Sequence, residues 1–307
     1  MSKIEQRNKA IKETASVVSQ EQIGEDIFSI FIKTSLASSA KAGQFVSLFT
    51  RDGSKLLPRP ISICEVFGEG GIIRLVYRVT GENTGTKLFS LLTEGDTIEI
   101  MGPLGNGFEA FVNMGEMVKS EKFIADEKKP KDNKRNSEEA NKAPMMDVKN
   151  QPWKVMLIGG GIGVPPMLQL AKDFSDKLDK TQILGVMGYQ GEVFLAEDFE
   201  QFSTLYISTE EGTRGTEGNV LDAIDEHHLS ADAIYACGPM PMLKAIQAYA
   251  NEKNVPCYLS TEEKMACGIG ACLACICKTK EKDTHSNLNQ ARICKDGPVF
   301  DGADVIL

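Results

Sequence analysis

The hydrophobic pattern changes between the two halves of the chain, and no other feature of the sequence constrains the fold as strongly. In the first third, the segments DIFSIFIKT, QFVSLFT, IIRLVYRV and DTIEIM alternate apolar and polar residues between glycine-containing breaks. Such segments predict an antiparallel barrel or sandwich, and TKLFSLL predicts one helix that interrupts it. After Trp153, short apolar runs such as KVMLIGG and QILGVMGY are followed by helical segments. This second pattern predicts a doubly wound parallel α/β domain.

A chain of 307 residues is long enough for two or three domains, each with its own core. Residues 116–150 are dense in both charge signs and poor in large apolar side chains. Because such a segment buries too little apolar surface to offset its ordering entropy, we predict a loop or linker, with a docking element as the alternative. The predicted α+β and α/β multidomain organisation is a barrel over 1–112, a charged insertion over 113–150, an α/β domain over 151–262 and a small cysteine-rich subdomain over 263–307.

The charge and the cysteine content limit the classes of function. A net charge of −9 disfavours nucleic acid as a partner, since phosphate backbones are bound by basic surfaces. No run of about 18 apolar residues occurs and the first residues are polar, so we expect a soluble cytoplasmic protein with no membrane segment. In a reducing compartment, the eight cysteines are expected to bind metal or perform redox chemistry rather than form disulfides.

A glycine-rich turn, GGGIGVPPM over Gly159–Met167, follows a predicted strand and precedes a predicted helix. Glycine allows the backbone to approach phosphate oxygens, and the positive end of the helix attracts their charge. The turn departs from the dinucleotide fingerprint because Val164 occupies the place of the third glycine. A merely structural tight turn is an equal alternative. The candidate nucleotide-binding residues are Gly160, Gly161 and Gly163.

A second turn, ACGPMPML, also ends a predicted strand and precedes a helix. Ligands of open α/β sheets bind at this edge, and Gly238 permits close approach to a flat ring. Pro239 or Pro241 suits the first turn of the following helix. Cys237 is either a small buried hydrophobic residue or a neighbour of a nicotinamide ring. We place Cys237, Gly238 and Pro239 at the nicotinamide.

The order of RPIS, LIGGGIG and CGPMPM resembles the ferredoxin-NADP reductase family. In that family a flavin-binding β-barrel precedes a nicotinamide-binding α/β domain. The resemblance implies that FAD is bound by RPIS, by VYR in a later strand and by the end of the GENTGT loop. The implied flavin-binding residues are Arg59, Pro60, Ile61, Ser62, Val76, Tyr77, Arg78, Gly85 and Thr86.

Residue chemistry supports these roles and leaves alternatives open. Arg59 supplies a planar charged fork that suits phosphate, or an ordinary surface ion pair. Ser62 can donate to a flavin nitrogen or oxygen, while Gly85 and Thr86 offer amides and a hydroxyl at a helix start. The GENTGT loop is longer than the loop usual in the family, and Tyr77 can instead pack inside the barrel.

Four cysteines occur in the eleven residues CGIGACLACIC. The C-x4-C-x2-C spacing of Cys267, Cys272 and Cys275 is that of plant-type two-iron clusters, which need a distant fourth thiolate. Cys294, 19 positions after Cys275, is the candidate for that ligand. The predicted ligands of a [2Fe-2S] cluster are therefore Cys267, Cys272, Cys275 and Cys294. Three other cysteines are assigned to packing: Cys64, Cys257 and Cys277.

The segments EEKMACGIGACLACICKT and CKDGPVF resemble the electron-transfer subunits of type B dihydroorotate dehydrogenases, a family within the reductases. The resemblance implies an oxidoreductase of pyrimidine biosynthesis that uses FAD, a [2Fe-2S] cluster and NAD. Its partner would be an FMN-containing dihydroorotate dehydrogenase catalytic subunit, in a heterotetramer of two catalytic and two electron-transfer subunits. Electrons would pass from FMN through the cluster and FAD to NAD+, because a flavin exchanges both hydride and single electrons. We expect the loop over 267–277 to border the interface with this partner.

Two other functions compete with this interpretation. One is the flavin and iron-sulfur subunit of an NADH-dependent ferredoxin:NADP oxidoreductase or of a sulfhydrogenase, which the KDGPVF segment argues against. The other is a non-redox zinc-binding module, which is weaker because no histidine has ligand spacing with the thiols. The nucleotide is expected to be NAD, since Glu210 and Glu211 would repel a 2′-phosphate, although Arg214 opposes this inference.

Overall fold

The computed structural model describes residues 10–108, 153–283 and 287–307. The charged insertion predicted over 113–150 lies outside these ranges. Among the described residues, no helix is both long and apolar enough to cross a membrane.

The first described range forms a closed antiparallel barrel with strand order β1-β2-β5-β4-β3-β6. A short helix, α1 (Gly85–Phe89), lies between the fifth and sixth barrel strands along the chain, where a helix was predicted. Closure decides between the barrel and the sandwich, because the first and last strands pair with each other from Ile11↔Gly102 to Ser16↔Thr97. The strands are β1 (Ile11–Gly24), β2 (Ile27–Lys33), β3 (Phe45–Phe49), β4 (Arg59–Phe67), β5 (Ile72–Arg78) and β6 (Thr97–Leu104).

The long strand β1 was not predicted from the sequence. Most of its side chains are polar, and only Ala15 and Val17 are buried. Its place in the barrel is instead held by backbone pairing with strands on both sides. A strand that depends on such pairing leaves a weak hydrophobic pattern.

The second half of the chain forms a seven-stranded sheet of order β10-β9-β8-β7-β11-β12-β15. The first six of these strands run parallel, and the edge strand β15 is antiparallel to β12. The strands are β7 (Val155–Gly160), β8 (Ile183–Tyr189), β9 (Thr204–Thr209), β10 (Thr216–Glu217), β11 (Ala233–Cys237), β12 (Cys257–Ser260) and β15 (Val299–Asp301). The helices are α2 (Pro165–Ser175), α3 (Ala196–Phe202), α4 (Val220–Glu226) and α5 (Met240–Lys253). This arrangement confirms the predicted α/β domain.

The cysteine-rich segment folds against both domains. Strands β13 (Ile276–Thr279), β14 (Gln290–Arg292) and β16 (Val305–Ile306) form a small sheet of order β14-β13-β16. Between them the chain contributes β15 to the large sheet. Asn106 at the end of the barrel donates its backbone N–H to Gly297 O at 2.6 Å. The segment is thereby tied to the barrel as well as to the α/β domain.

The barrel and the α/β domain share one apolar core at their junction. Cys64 and Val76 on barrel strands pack in the same cluster as Val164, Met167 and further residues of the α/β domain. On β5, alternate residues such as Leu75 point into the separate barrel core. Successive side chains of this strand therefore face the barrel interior and the domain junction in turn.

Candidate functional site

A cavity of about 240 Å³, which we name the interdomain cavity, opens where the barrel, the α/β domain and the cysteine-rich segment meet. Its barrel wall comes from the start of β4 and the end of β5. Apolar groups and a few polar ones make up this wall, which suits a flat aromatic ring with polar edges. Six residues predicted to bind flavin line it: Pro60, Ile61, Ser62, Val76, Tyr77 and Arg78.

The opposite wall was missed by sequence reasoning. It consists of the residues that directly follow β12, namely Thr261, Glu262 and Glu263, together with Met265. These residues follow a parallel strand at the carboxyl edge of the sheet, which is the signal that could have identified them. Five further residues complete the lining: Phe45, Thr80, Ile162, Ser260 and Pro298.

Tyr77 serves chiefly in barrel packing. Its ring stacks on Phe28 at 5.9 Å between centroids and meets Phe89 edge-on at 6.3 Å. Its hydroxyl donates to Gln20 Oε1 at 2.7 Å, and burial raises the pKa of Tyr77. Tyr77 therefore lines the cavity with a side chain that its packing and its hydrogen bond hold in one position.

Arg59, Gly85 and Thr86 lie together beyond the cavity lining. A Cβ added to Gly85 would lie 2.9 Å from Arg59 Nε, so the guanidinium stem crosses the start of α1 directly over this glycine. Thr84 caps the helix by accepting a hydrogen bond from the Lys87 amide, and its hydroxyl lies 3.0 Å from the Thr86 hydroxyl. The chemistry of this group, a guanidinium beside hydroxyls and helix amides, suits a diphosphate.

The two glycine-containing turns of the α/β domain meet at the ends of the adjacent strands β7 and β11. An added Cβ on Gly163 would lie 2.4 Å from the Cys237 carbonyl oxygen. An added Cβ on Gly238 would lie 3.1 Å from the Gly160 nitrogen. Gly161 has a φ of +54° with open space around it, so its backbone is accessible to a ligand. The two predicted nucleotide-binding segments therefore form one surface.

Cys237 itself is fully buried and does not line the cavity. Burial raises its pKa, nearby Glu262 acts in the same direction, and a hydrogen bond with Ser260 opposes them. Pro239 precedes the first residue of α5. Burial between the walls also raises the pKa of Glu262, although its side chain meets solvent through the cavity.

The four predicted cluster ligands, which we name the cysteine cage, lie as two pairs of thiols. Cys272 hydrogen bonds to the Cys267 thiol, while Cys294 donates its backbone N–H to Cys275 Sγ at 3.4 Å. In the described part of the chain, no three potential ligand side chains surround one point closely enough to hold a metal ion. Two thiol pairs match the donor set of a two-iron cluster, which takes four cysteine thiolates.

The two pairs differ in environment. Cys275 and Cys294 are each 2% exposed, whereas Cys272 is exposed and Cys267 is half-buried. Although partial burial acts to raise the pKa of Cys267, hydrogen bonds from Ile269, Cys272 and other neighbours lower it to about 6. Burial and the Cys275 thiol raise the pKa of Cys294 to about 12. Cys267 of the outer pair therefore favours the thiolate form, and the inner pair is sheltered by packing.

The inner thiols and the interdomain cavity share a neighbour, Phe45. This side chain lines the cavity and belongs to the same packed apolar cluster as Cys275 and Cys294. Met265 also lines the cavity and packs against that cluster. The half-buried Cys277 packs against the cluster but does not line the cavity. The cavity and the cage are therefore adjacent compartments of one site.

Models of two protein families match the chain. Residues 157–248 match the oxidoreductase NAD-binding domain. Residues 262–306 match the iron-sulfur cluster binding domain of dihydroorotate dehydrogenase B. The second match covers the whole cysteine cage.

Two bacterial relatives match almost the whole chain. A protein of Streptococcus mutans, named dihydroorotate dehydrogenase B (NAD(+)), electron transfer subunit, is 36% identical over 97% of this chain and 99% of its own length. The chain belongs to this family. A protein of the same name from Fusobacterium nucleatum is 36% identical over 95% of this chain and 98% of its own length.

A solved structure of an NADH-dependent reduced ferredoxin-NADP oxidoreductase, described for flavin-based electron bifurcation, has a similar fold. It superposes with a TM-score of 0.71 and 27% identity, covering 95% of this chain and 89% of its own. Because the family relatives are more similar in sequence, the reductase alternative is not favoured. The match of the cysteine segment to an iron-sulfur domain likewise disfavours the zinc module.

Proposed function

We propose that this chain is the electron-transfer subunit through which a dihydroorotate dehydrogenase catalytic subunit reduces NAD+ in pyrimidine biosynthesis. Its partner carries FMN, and the complex is a cytoplasmic heterotetramer of two catalytic and two electron-transfer subunits. When bound, FAD exchanges a hydride with NAD+ and single electrons with the [2Fe-2S] cluster. The residues of this chain hold these groups side by side and exclude water between them.

The observation that carries this proposal is the position of Phe45 between the interdomain cavity and the inner thiols. Electron exchange needs two centres that are close together and separated by packed protein. In our proposal the flavin ring lies in the cavity against Ser62 and Val76. Its diphosphate lies beside Arg59 and Gly85, where guanidinium and amide groups are available.

We propose that the cysteine cage holds the cluster and that the two glycine-containing turns hold NAD. The accessible backbone of Gly161 and the meeting of Gly160 with Gly238 support this placement. Beyond β9, the Glu210 carboxylate accepts a hydrogen bond from Gln190 Nε2 at 3.2 Å. A fixed carboxylate there would repel a 2′-phosphate, which supports NAD over NADP.

The exposed side of the cage is proposed as the docking face for the catalytic subunit. Three large apolar residues of the loop are exposed: Ile269 by 51%, Leu273 by 53% and Ile276 by 42%. They surround the exposed Cys272 in the sequence. Exposed apolar side chains grouped in this way favour a protein interface. A partner bound at this interface would lie close to the outer thiol pair.

The test compares the isolated chain with the assembled complex. The isolated chain, loaded with FAD and cluster, should oxidise NADH with ferricyanide as acceptor and should not oxidise dihydroorotate. The complex should oxidise dihydroorotate with NAD+. Dihydroorotate turnover by the isolated chain, or a complex that reduces no NAD+, would contradict the proposal.

Native mass spectrometry of the complex tests composition. The expected mass corresponds to two copies of each subunit with FMN, FAD and two irons per pair. Another stoichiometry would contradict the heterotetramer while leaving the electron-transfer role intact. A partner without FMN that supports ferredoxin-dependent NADP+ reduction would instead indicate the sibling reductase class.

A further inference from the structure

Four charged side chains, which we name the interdomain clamp, form a network across the junction of the barrel and the α/β domain. Arg74 of β5 pairs with Asp198 of α3, with 2.8 Å between Nη1 and Oδ1. Glu65 of β4 pairs with Lys172 of α2, with 2.9 Å between Oε1 and Nζ. Arg74 Nη1 and Glu65 Oε2 lie 3.6 Å apart, which joins the two pairs. The barrel members are deeply buried, with only 8% of the Arg74 side chain and 9% of the Glu65 side chain exposed.

Strand register brings the two barrel members together. The pairing of β4 with β5 shifts between Ile63 and Glu65, so that Glu65 stands directly opposite Arg74. With strict alternation, Glu65 would face the barrel interior like Ile63. The bulge turns the Glu65 side chain to the other face of the strand, so that the opposite charges of Glu65 and Arg74 both lie on the junction face. Arg74 Nε also donates to Ser29 Oγ on β2 at 3.0 Å. Contacts with β4 and β2 therefore hold the guanidinium of Arg74 in place on β5, in the position from which it pairs with Asp198 on α3.

The clamp is attached to the elements that build the proposed site. Strand β4 contributes residues 60–62 to the cavity wall and reaches Glu65 three residues later. Strand β5 carries Arg74 two residues before Val76, which also lines the cavity. Helix α2, which carries Lys172, begins directly after the turn that contains Gly161.

Ion pairs add a constraint that the shared apolar core does not supply. Apolar packing is not directional and tolerates small sliding movements, whereas buried charge pairs require a defined geometry. Such pairs add little net stability, but removing one partner leaves a buried charge unpaired. The two ties to separate helices fix an angle, which a single tie does not. Hydrogen bonds from Val66 N to Gln169 Oε1 at 2.7 Å and from Glu25 N to Glu192 Oε2 at 2.9 Å support the same junction.

We propose that the interdomain clamp sets the angle between the two domains and thereby positions the nicotinamide-binding edge against the flavin wall for hydride transfer. The clamp members are positioning residues, since none of them lines the cavity. The inference rests on the proposed function. The test follows the hydride step in reverse of NAD+ reduction: one C–H bond of NADH breaks, its hydride carries two electrons to the flavin, and a solvent proton completes the reduced flavin as NAD+ forms.

The test uses the complete complex with Asp198→Ala, Lys172→Met and the double variant, which remove ties while leaving the buried barrel members in place. The matched controls are Glu197→Ala, in the same first turn of α3, and Lys177→Met, just beyond α2. Rapid mixing with NADH and with 4-deuterated NADH gives the rate of flavin reduction and its isotope effect. Stacked nicotinamide and flavin rings give a charge-transfer absorbance at long wavelength, which measures their stacking without turnover.

The double variant should reduce flavin roughly 10-fold to 100-fold more slowly, because small misplacements of reacting atoms have effects of this size. Its stacking absorbance should fall, whereas FAD content and NADH affinity should stay unchanged. Each single variant should show a smaller loss, and Asp198→Glu should recover part of the rate. Unchanged rate and absorbance in the double variant, or losses explained by FAD release or unfolding, would overturn the clamp. A wild-type complex in which NADH does not reduce the flavin would overturn the proposed function as well.

Discussion

The interdomain cavity and the cysteine cage are neighbours, but they are assembled differently. The cavity is enclosed by walls from three regions of the chain, and its barrel wall is held by strand pairing. The cage has an outer pair of thiols within one short loop and an inner pair that joins Cys275 to the distant Cys294. An enclosed site suits hydride exchange away from water, and an exposed one suits electron exchange with a partner protein. Substitutions should therefore affect the cavity and the cage in different ways.

The largest effect is expected from Cys294→Ser. Loss of the distant thiolate should leave three cysteine ligands for the cluster and abolish its visible absorption. Cys277→Ser is the matched control, since Cys277 packs against the cage but belongs to neither pair. Absorption spectra and iron content of the purified complexes provide the measurement. Retention of the cluster by Cys294→Ser and its loss from Cys277→Ser would reverse the assignment.

Leu273→Glu should weaken association with the catalytic subunit at least about 10-fold, because it places a charge in an apolar interface. The cluster absorption should remain, since Leu273 points to solvent and is 53% exposed. Leu91→Glu, at a side chain 66% exposed on the barrel, is the control and should bind normally. Titration calorimetry of the two subunits measures the change. Normal binding by Leu273→Glu would remove the cage loop from the interface.

Gly270→Ala should lower stability by about 1–3 kcal/mol through backbone strain. Gly270 has a φ of +81°, and an added Cβ would lie 2.7 Å from Lys295 Cδ. Gly53→Ala is the control, because no atom lies within 4 Å of the added carbon. Thermal unfolding of the two variants should separate them by several degrees. Equal melting temperatures would show that the loop adapts without strain.

The smallest effect is expected at the cavity wall, from Glu262→Gln. Burial raises the pKa of Glu262 above its ordinary value of 4.5, so the folded chain binds this proton more tightly than the unfolded chain does. Its contribution to stability is complete below pH 4.5 and is lost as the pH rises through the raised pKa. The variant should match the wild type at low pH and become relatively more stable towards neutral pH. Denaturant unfolding across this pH range measures the free energy of unfolding of both proteins. A constant difference between variant and wild type at every pH would contradict the raised pKa of Glu262.

Sequence patterns were sufficient for the features that depend on local chemistry. Alternation predicted four of the six barrel strands, β2, β3, β5 and β6, and the turn after β7 was recognised from its glycines. The spacing of Cys267, Cys272 and Cys275 indicated a two-iron site. By contrast, strand β1 escaped prediction because its polar side chains carry little pattern, and Glu262 was missed because it follows a short strand without a motif.

The sequence by itself determined the two fold classes, the cysteine spacing and the family to which the chain belongs. These features depend on side-chain periodicity and on residues that lie near each other in the chain. Only the tertiary structure decided that the barrel closes, that Phe45 lies between cavity and cage, and that Glu65 meets Arg74 across a shifted register. Such contacts arise from strand pairing and packing between distant segments, and local patterns do not encode which distant segments meet.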